Sequence, residues 1–275
     1  MRTELRGVER LEGEITMANH KFGTLELQRE GSVCSILLNK PPLNIIDIAM
    51  IQEIQDALRE LEADKQVRVV VFRGAGPKGF SAGVSVQDHA PDRVAQVIPA
   101  FDEIFRLLSR TEKLTVAAVH GVCLGGGFEL AVMCDLVVAT EDAQFAQPEI
   151  KLGQLAPVGL ILLPHLVGYR KAAELLFTGM TIGAPEAQTL GLVNRVVPAD
   201  ELPKCLEDLL REINVHSGAI VALTKRALLR LSGLNFEEQL QETEDFFLHQ
   251  VAETVDAREG ILAFLEKRAP RWIHA

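Results

Sequence analysis

Leu114-Thr115-Val116-Ala117-Ala118-Val119, followed after five residues by Gly125-Gly126-Gly127-Phe128-Glu129-Leu130 and Ala131-Val132-Met133-Cys134, is the stretch from which the fold is read. The first run is apolar and strand-like. The last is apolar and helix-like. Three glycines at the turn between them let the backbone approach a ligand closely, because no Cβ stands in the way. The first N–H groups of the helix then point at that ligand, and the helix dipole favours negative charge there. An acidic residue just inside such a turn is costly unless it acts. The combination predicts a pocket that stabilises a developing oxyanion while a carboxylate moves protons.

Outward from this unit, strands and helices alternate. Gly23–Gln28 and Val33–Leu38 read as two strands joined at Glu30-Gly31-Ser32. Asn39-Lys40-Pro41-Pro42-Leu43-Asn44 is a loop stiffened by two prolines. Ile51, Ile54, Leu58 and Leu61 carry the helical period over residues 48–62. Val67–Phe72 is a buried strand ended by Gly74-Ala75-Gly76-Pro77. A second glycine-containing loop, Phe80-Ser81-Ala82-Gly83-Val84-Ser85-Val86, precedes a helix over 92–111. Leu136–Ala139 is another strand. From Lys171 the chain is largely helical, broken near Gly179, Pro185, Gly191 and Pro198. The class is α/β with a helical C-terminal part. It divides into an N-terminal extension (1–20), a core (21–200) and a C-terminal helical region (201–275).

The 275 residues are 48% apolar and 24% charged, enough for a full core, and only 5% aromatic, so that core is aliphatic. A net charge of −10 argues against a nucleic-acid surface, though a local basic patch can still hold an anionic ligand. Cys34, Cys123, Cys134 and Cys205 have neither zinc-ligand spacing nor the density of a disulfide framework. Buried thiols in a reducing compartment are expected. No run of 18 apolar residues predicts a membrane span. Residues 1–20 mix arginines with Glu4, Glu9, Glu12 and Glu14 and lack the apolar segment of a signal peptide, so a cytoplasmic protein is expected.

Glu129 and Glu149 are the candidate acid and base. Each sits in an apolar neighbourhood, where burial raises a carboxyl pKa toward neutrality. Two such groups can divide acid and base roles; a salt-bridged structural glutamate is the alternative for each. Backbone N–H groups of Ala82 and Gly126 are the candidate oxyanion donors. Asp135 reads as a capping or pairing residue, with a catalytic role as the alternative. His89 near the second glycine loop reads as a surface residue, His120 beside the triplet as a packed strand end, and His165 after Pro164 as one that could approach the pocket; no histidines share metal-ligand spacing, so no metal is expected. A Walker pattern is absent, which removes support for nucleotide-hydrolysis chemistry. The basic segment Phe264-Leu265-Glu266-Lys267-Arg268-Ala269-Pro270-Arg271-Trp272 reads as a solvated helix end, with a phosphate contact as the sharper alternative.

Taken in order, these pieces resemble the enoyl-CoA hydratase/isomerase (crotonase) family over residues 25–268. The markers are Asn39-Lys40-Pro41 with Asn44, Phe80-Ser81-Ala82-Gly83-Val84, Val119-His120-Gly121 leading to Leu124–Leu130, Cys134-Asp135, Phe145-Ala146-Gln147-Pro148-Glu149, Gly191-Leu192-Val193, and Arg258-Glu259-Gly260 with Phe264–Arg268. The resemblance implies a crotonase-like (ClpP/crotonase) core of repeated ββα turns, with C-terminal helices that form a homotrimer or a dimer of trimers. It implies an acyl-CoA substrate whose thioester carbonyl sits between the N–H groups of Ala82 and Gly126. By position, Glu129 would activate water for attack at the β-carbon, and Glu149 would deliver the proton. Lys40, Ser81, Ala82 and Val84 match positions near coenzyme A, which arrives as part of the substrate and leaves no separate cofactor. Phe264 and Lys267 match residues that reach a neighbouring subunit's coenzyme A.

Two departures stand out. Ser85 replaces the aspartate typical after the Ala-Gly-small triplet, on the nucleotide side. A glycine-rich turn normally follows the second glutamate, whereas this chain reads Gly153-Gln154-Leu155-Ala156-Pro157-Val158. Leu155, Pro157 and Val158 are therefore expected to reshape the acyl pocket. Ser81–Val84 with Val86, Asp88 and His89, together with Ala156-Pro157-Val158, looks like the cyclohexa-1,5-dienecarbonyl-CoA hydratases of anaerobic aromatic degradation. There, water adds at the β-carbon and the proton goes to the γ-carbon of a dienolate. Hydration of linear 2-enoyl-CoA, double-bond isomerisation on the same fold and a non-catalytic CoA-binding member are the other readings.

Overall fold

The computed structural model describes residues 16–17, 22–216, 218–231 and 236–271. Thr16–Met17 (β1) pairs antiparallel with Leu25–Glu30 (β2). The rest of the expected 1–20 extension lies outside the described residues. β2 forms a hairpin with Val33–Leu38 (β3), and Leu25, Leu27, Ile36 and Leu38 face the core, as strict alternation requires. Ile48–Ala63 (α1) starts at Asp47, whose side chain accepts from the Met50 N–H.

Three ββα turns follow. Val69–Gly74 (β4) and Gly79–Ser81 (β5) lead to Val94–Arg110 (α2). Leu114–Val119 (β6) and Val122–Leu124 (β7) lead to Gly126–Met133 (α3). Leu136–Thr140 (β8) and Gln144–Ala146 (β9) lead to Pro157–Val167 (α4). Tyr169–Thr178 (α5), Ile182–Gly183 (β10), Ala184–Thr189 (α6) and Arg195–Val197 (β11) complete the core. Leu202–Asn214 (α7), Gly218–Leu231 (α8), Phe236–Phe246 (α9) and Val255–Leu265 (α10) make the helical C-terminal region.

The first strand of each turn enters a seven-stranded sheet, ordered β1-β2-β3-β4-β6-β8-β11. The second enters a four-stranded sheet, ordered β10-β9-β7-β5. From β3 onward the large sheet is parallel, so its central strands are buried on both faces and read as continuous apolar runs. Alternate residues divide between two cores. Val70, Phe72, Ala117 and Val119 join the main core, while Val69, Val71, Val116 and Ala118 pack under Leu206 and Leu209 of α7.

The expected first strand lies two residues later, at 25–30. The presumed Phe80 loop begins as β5. Strands β7, β9, β10 and β11 have two or three residues each, too few for periodicity to register. Among the described residues no helix is long and apolar enough to cross a membrane.

Candidate active site

Two glycines bring the loop after β5 onto the entry of α3. Gly125 has φ +52° and donates its N–H to the Ala146 carbonyl at 2.9 Å. A Cβ here would lie 2.5 Å from Glu149 Oε1, so this carboxyl rests against the glycine. Gly83 has φ +96°, and a Cβ on it would come within 2.8 Å of the Leu124 carbonyl and 3.2 Å of the Gly126 nitrogen. Only glycine permits both the conformations and the contact.

The donors at this junction differ from the expected pair. The Ala82 N–H is taken by the Leu43 carbonyl at 2.9 Å, and the Gly83 N–H by Ser81 Oγ at 3.1 Å. Ile46 donates to the Gly83 carbonyl (3.0 Å) and accepts from the Ser85 N–H (2.9 Å). Val84, between those two partners of Ile46, is paired with Ile46 as a parallel bridge and turns its own N–H the other way. The Ala82 N–H is therefore engaged within the loop, and Val84 is the residue whose N–H points away from Ile46. Gly126 is the first residue of α3, and its N–H has no partner within the helix. Val84 and Gly126 are neighbours, since a Cβ on Gly126 would meet Val84 Cγ2 at 2.7 Å.

Glu129 is 2% exposed. Its Oε1 accepts from the Gly159 N–H at 2.8 Å, in the first turn of α4. Burial raises its pKa, and the N–H groups of Gly159 and Val158 oppose that rise by favouring the anion. Glu149 sits in the 3₁₀ turn Pro148–Leu152, partly exposed to the pocket. Its pKa is raised by burial and then by the charge of Glu129. With its amide nitrogen turned toward Glu149, Gln147 donates to the two carboxyl oxygens at 3.0 and 3.3 Å. The pair thus holds one proton more readily than none, and Glu129, at a helix N-terminus, is the better anion.

Glu129, Glu149, Ala82, Val84, Gly126, Leu155 and Pro157 line one pocket. Val158 does not: its side chain is fully buried in the main core, because it points into α4's packing face. Ser81 is also fully buried; its hydroxyl donates to the Asn44 carbonyl at 2.8 Å, so it fastens two loops and offers no surface to coenzyme A. Lys40 is half-exposed and ion-paired to Asp47. Phe264 and Lys267 are exposed at the end of α10 and lie outside the pocket lining.

Asp135 accepts from the Thr115 N–H (2.7 Å) and from the buried Lys225 (2.8 Å), a structural pairing. His120 donates to the Gly76 carbonyl at 2.8 Å, and His165 is exposed. His89 does line the pocket and donates through Nδ1 to the Ser85 carbonyl at 2.9 Å. Arg268 is engaged by Glu259 and Glu266. The wall formed by Ile98, Phe101 and Asp102 of α2 was missed. Its one signal was an aspartate, Asp102, on the apolar face of an amphipathic helix.

The enoyl-CoA hydratase/isomerase family model matches residues 28–275. A probable enoyl-CoA hydratase of Mycobacterium tuberculosis is 36% identical over 256 residues, covering 92% of this chain and 99% of the relative. The cyclohexa-1,5-dienecarbonyl-CoA hydratase of Thauera aromatica is 34% identical over 250 residues, covering 90% and 95%. Among solved structures, an enoyl-CoA hydratase from Mycobacterium avium subsp. paratuberculosis superposes with a TM-score of 0.82 at 28% identity, covering 91% of this chain and 99% of that one.

Proposed function

The chain belongs to the enoyl-CoA hydratase/isomerase family, and from that premise we propose that it hydrates a cyclic dienoyl-CoA thioester. It is an acyl-CoA hydratase, a carbon–oxygen lyase. The observation that carries the mechanism is the convergence of Glu129, Glu149 and the N–H groups of Val84 and Gly126 on one pocket. The thioester oxygen accepts from the two N–H groups, which stabilise negative charge as the enolate forms. Glu129, the better anion, takes a proton from water as its oxygen bonds to the β-carbon. Glu149, holding the shared proton, returns one to carbon. In a ring dienolate that carbon is the γ-carbon.

Support for a ring comes from the bulky wall of Leu155 and Pro157 beside Glu149 and from the Thauera relative. Glu129→Gln and Glu149→Gln are each expected to lower kcat by at least about 10²-fold. Near-normal hydration by either variant would remove the mechanism. In a panel of acyl-CoA thioesters, cyclohexa-1,5-dienecarbonyl-CoA is expected to outrun crotonyl-CoA. Equal or faster turnover of crotonyl-CoA leaves a linear-chain hydratase.

A further inference from the structure

Two buried polar atoms that line no interaction in the mechanism belong to residues of the same pocket. Asp102 Oδ2 and Gln154 Oε1 have no hydrogen-bond partner among the described residues. Asp102 is 1% exposed and Gln154 is 6% exposed. The Gln154 amide nitrogen donates to the Ala257 carbonyl at 3.2 Å, which leaves its oxygen as the unused acceptor. Arg106, one turn along α2 from Asp102, is held instead by Glu244 (2.7 Å) and Glu237 (3.2 Å). A buried polar atom without a partner is costly, and native proteins keep one where something else completes it.

The surroundings also disfavour a charge on Asp102. Glu129 from α3 and Glu244 from α9 both oppose a negative charge on it, and Arg106 alone favours one. Burial acts most strongly, and the carboxyl is pushed well above the usual range. A neutral carboxylic acid has an O–H to donate. An acid O–H and an unused amide oxygen on residues of one pocket lining match a hydroxyl group, which accepts one hydrogen bond and donates another.

We propose that Asp102 and Gln154 are specificity-determining residues that bind a hydroxyl substituent on the acyl group, Asp102 donating to its oxygen and Gln154 accepting its proton. The inference rests on the proposed acyl-CoA site and names the substrate class as a ring-hydroxylated acyl-CoA.

Binding of saturated analogues tests it without turnover. Isothermal titration calorimetry would compare cyclohexanecarbonyl-CoA with its 2-, 3- and 4-hydroxy derivatives on the full chain. At least one hydroxylated isomer is expected to bind about 10-fold or more tightly than the parent, the discrimination of a site that loses buried partners when the hydroxyl is missing. Asp102→Leu should abolish that ratio, and Asp102→Asn, which keeps a neutral N–H donor, should retain most of it. Gln154→Met should reduce it, and carries the test if the leucine variant does not fold. Binding of the parent with no preference for any isomer, or a preference unchanged in these variants, overturns the inference alone. Failure of every acyl-CoA to bind overturns the acyl-CoA site as well.

Discussion

At the scale of single residues, Glu129 shows how burial and a helix terminus act against each other on one carboxyl. Desolvation holds its pKa up, while the N–H groups at the start of α4 draw it down. The net rise has a consequence for folding. Below about pH 4 the carboxyl is protonated in both folded and unfolded chains and contributes no difference. Above that, the unfolded chain releases its proton while the folded chain must keep it or bury a charge, so stability falls as pH rises. Glu129→Gln is therefore expected to melt with the wild type near pH 4 and a few degrees higher at pH 8, by differential scanning calorimetry. A variant that melts lower at both pH values would show that the ionised carboxylate stabilises the fold.

At the scale of elements, the turn that carries Glu149 is held from outside by α10. Thr254 caps this helix, accepting from the Ala257 N–H at 3.0 Å. Its Gly260 packs so closely on the turn that a Cβ would lie 1.8 Å from the Leu152 carbonyl. Backbone cannot yield as a side chain can, so Gly260→Ala must lift α10 or shift residues 148–152. It is expected to cost about 1–3 kcal/mol, the range for overpacking, and to lower kcat through the displaced Glu149. Urea denaturation and turnover measure the two effects. Unchanged stability would mean that α10 docks loosely.

At the scale of the whole molecule, the C-terminal helices present apolar side chains that the single chain leaves uncovered. Ile220, Leu223 and Leu228 of α8 and Leu262, Phe264 and Leu265 of α10 are all exposed. Such surface is what a subunit interface covers. Light scattering coupled to size exclusion is expected to give three or six times the 30.2 kDa chain, and Leu223→Glu to shift the mass downward. A monomer at micromolar concentration would remove the trimer.

What the sequence determined by itself is local. The glycine triplet, the apolar runs beside it and the order of motifs specify the ββα turns, the α3 entry and both glutamates, because each depends on neighbours within a few residues. The tertiary structure decided what depends on residues far apart. Ala82 loses its N–H to Leu43, and Val84 turns its own away from Ile46, which holds the residues on either side. Ser81 and Val158 are buried by packing that no local pattern encodes. Strands of two or three residues exist only because a sheet waits for them. Asp102 stands out along the chain only as an aspartate on an apolar helix face, and its surroundings are set when Glu129 of α3 and Glu244 of α9 come near it. A carboxyl's chemistry is set by what surrounds it in space, and that is where reading along the chain stops.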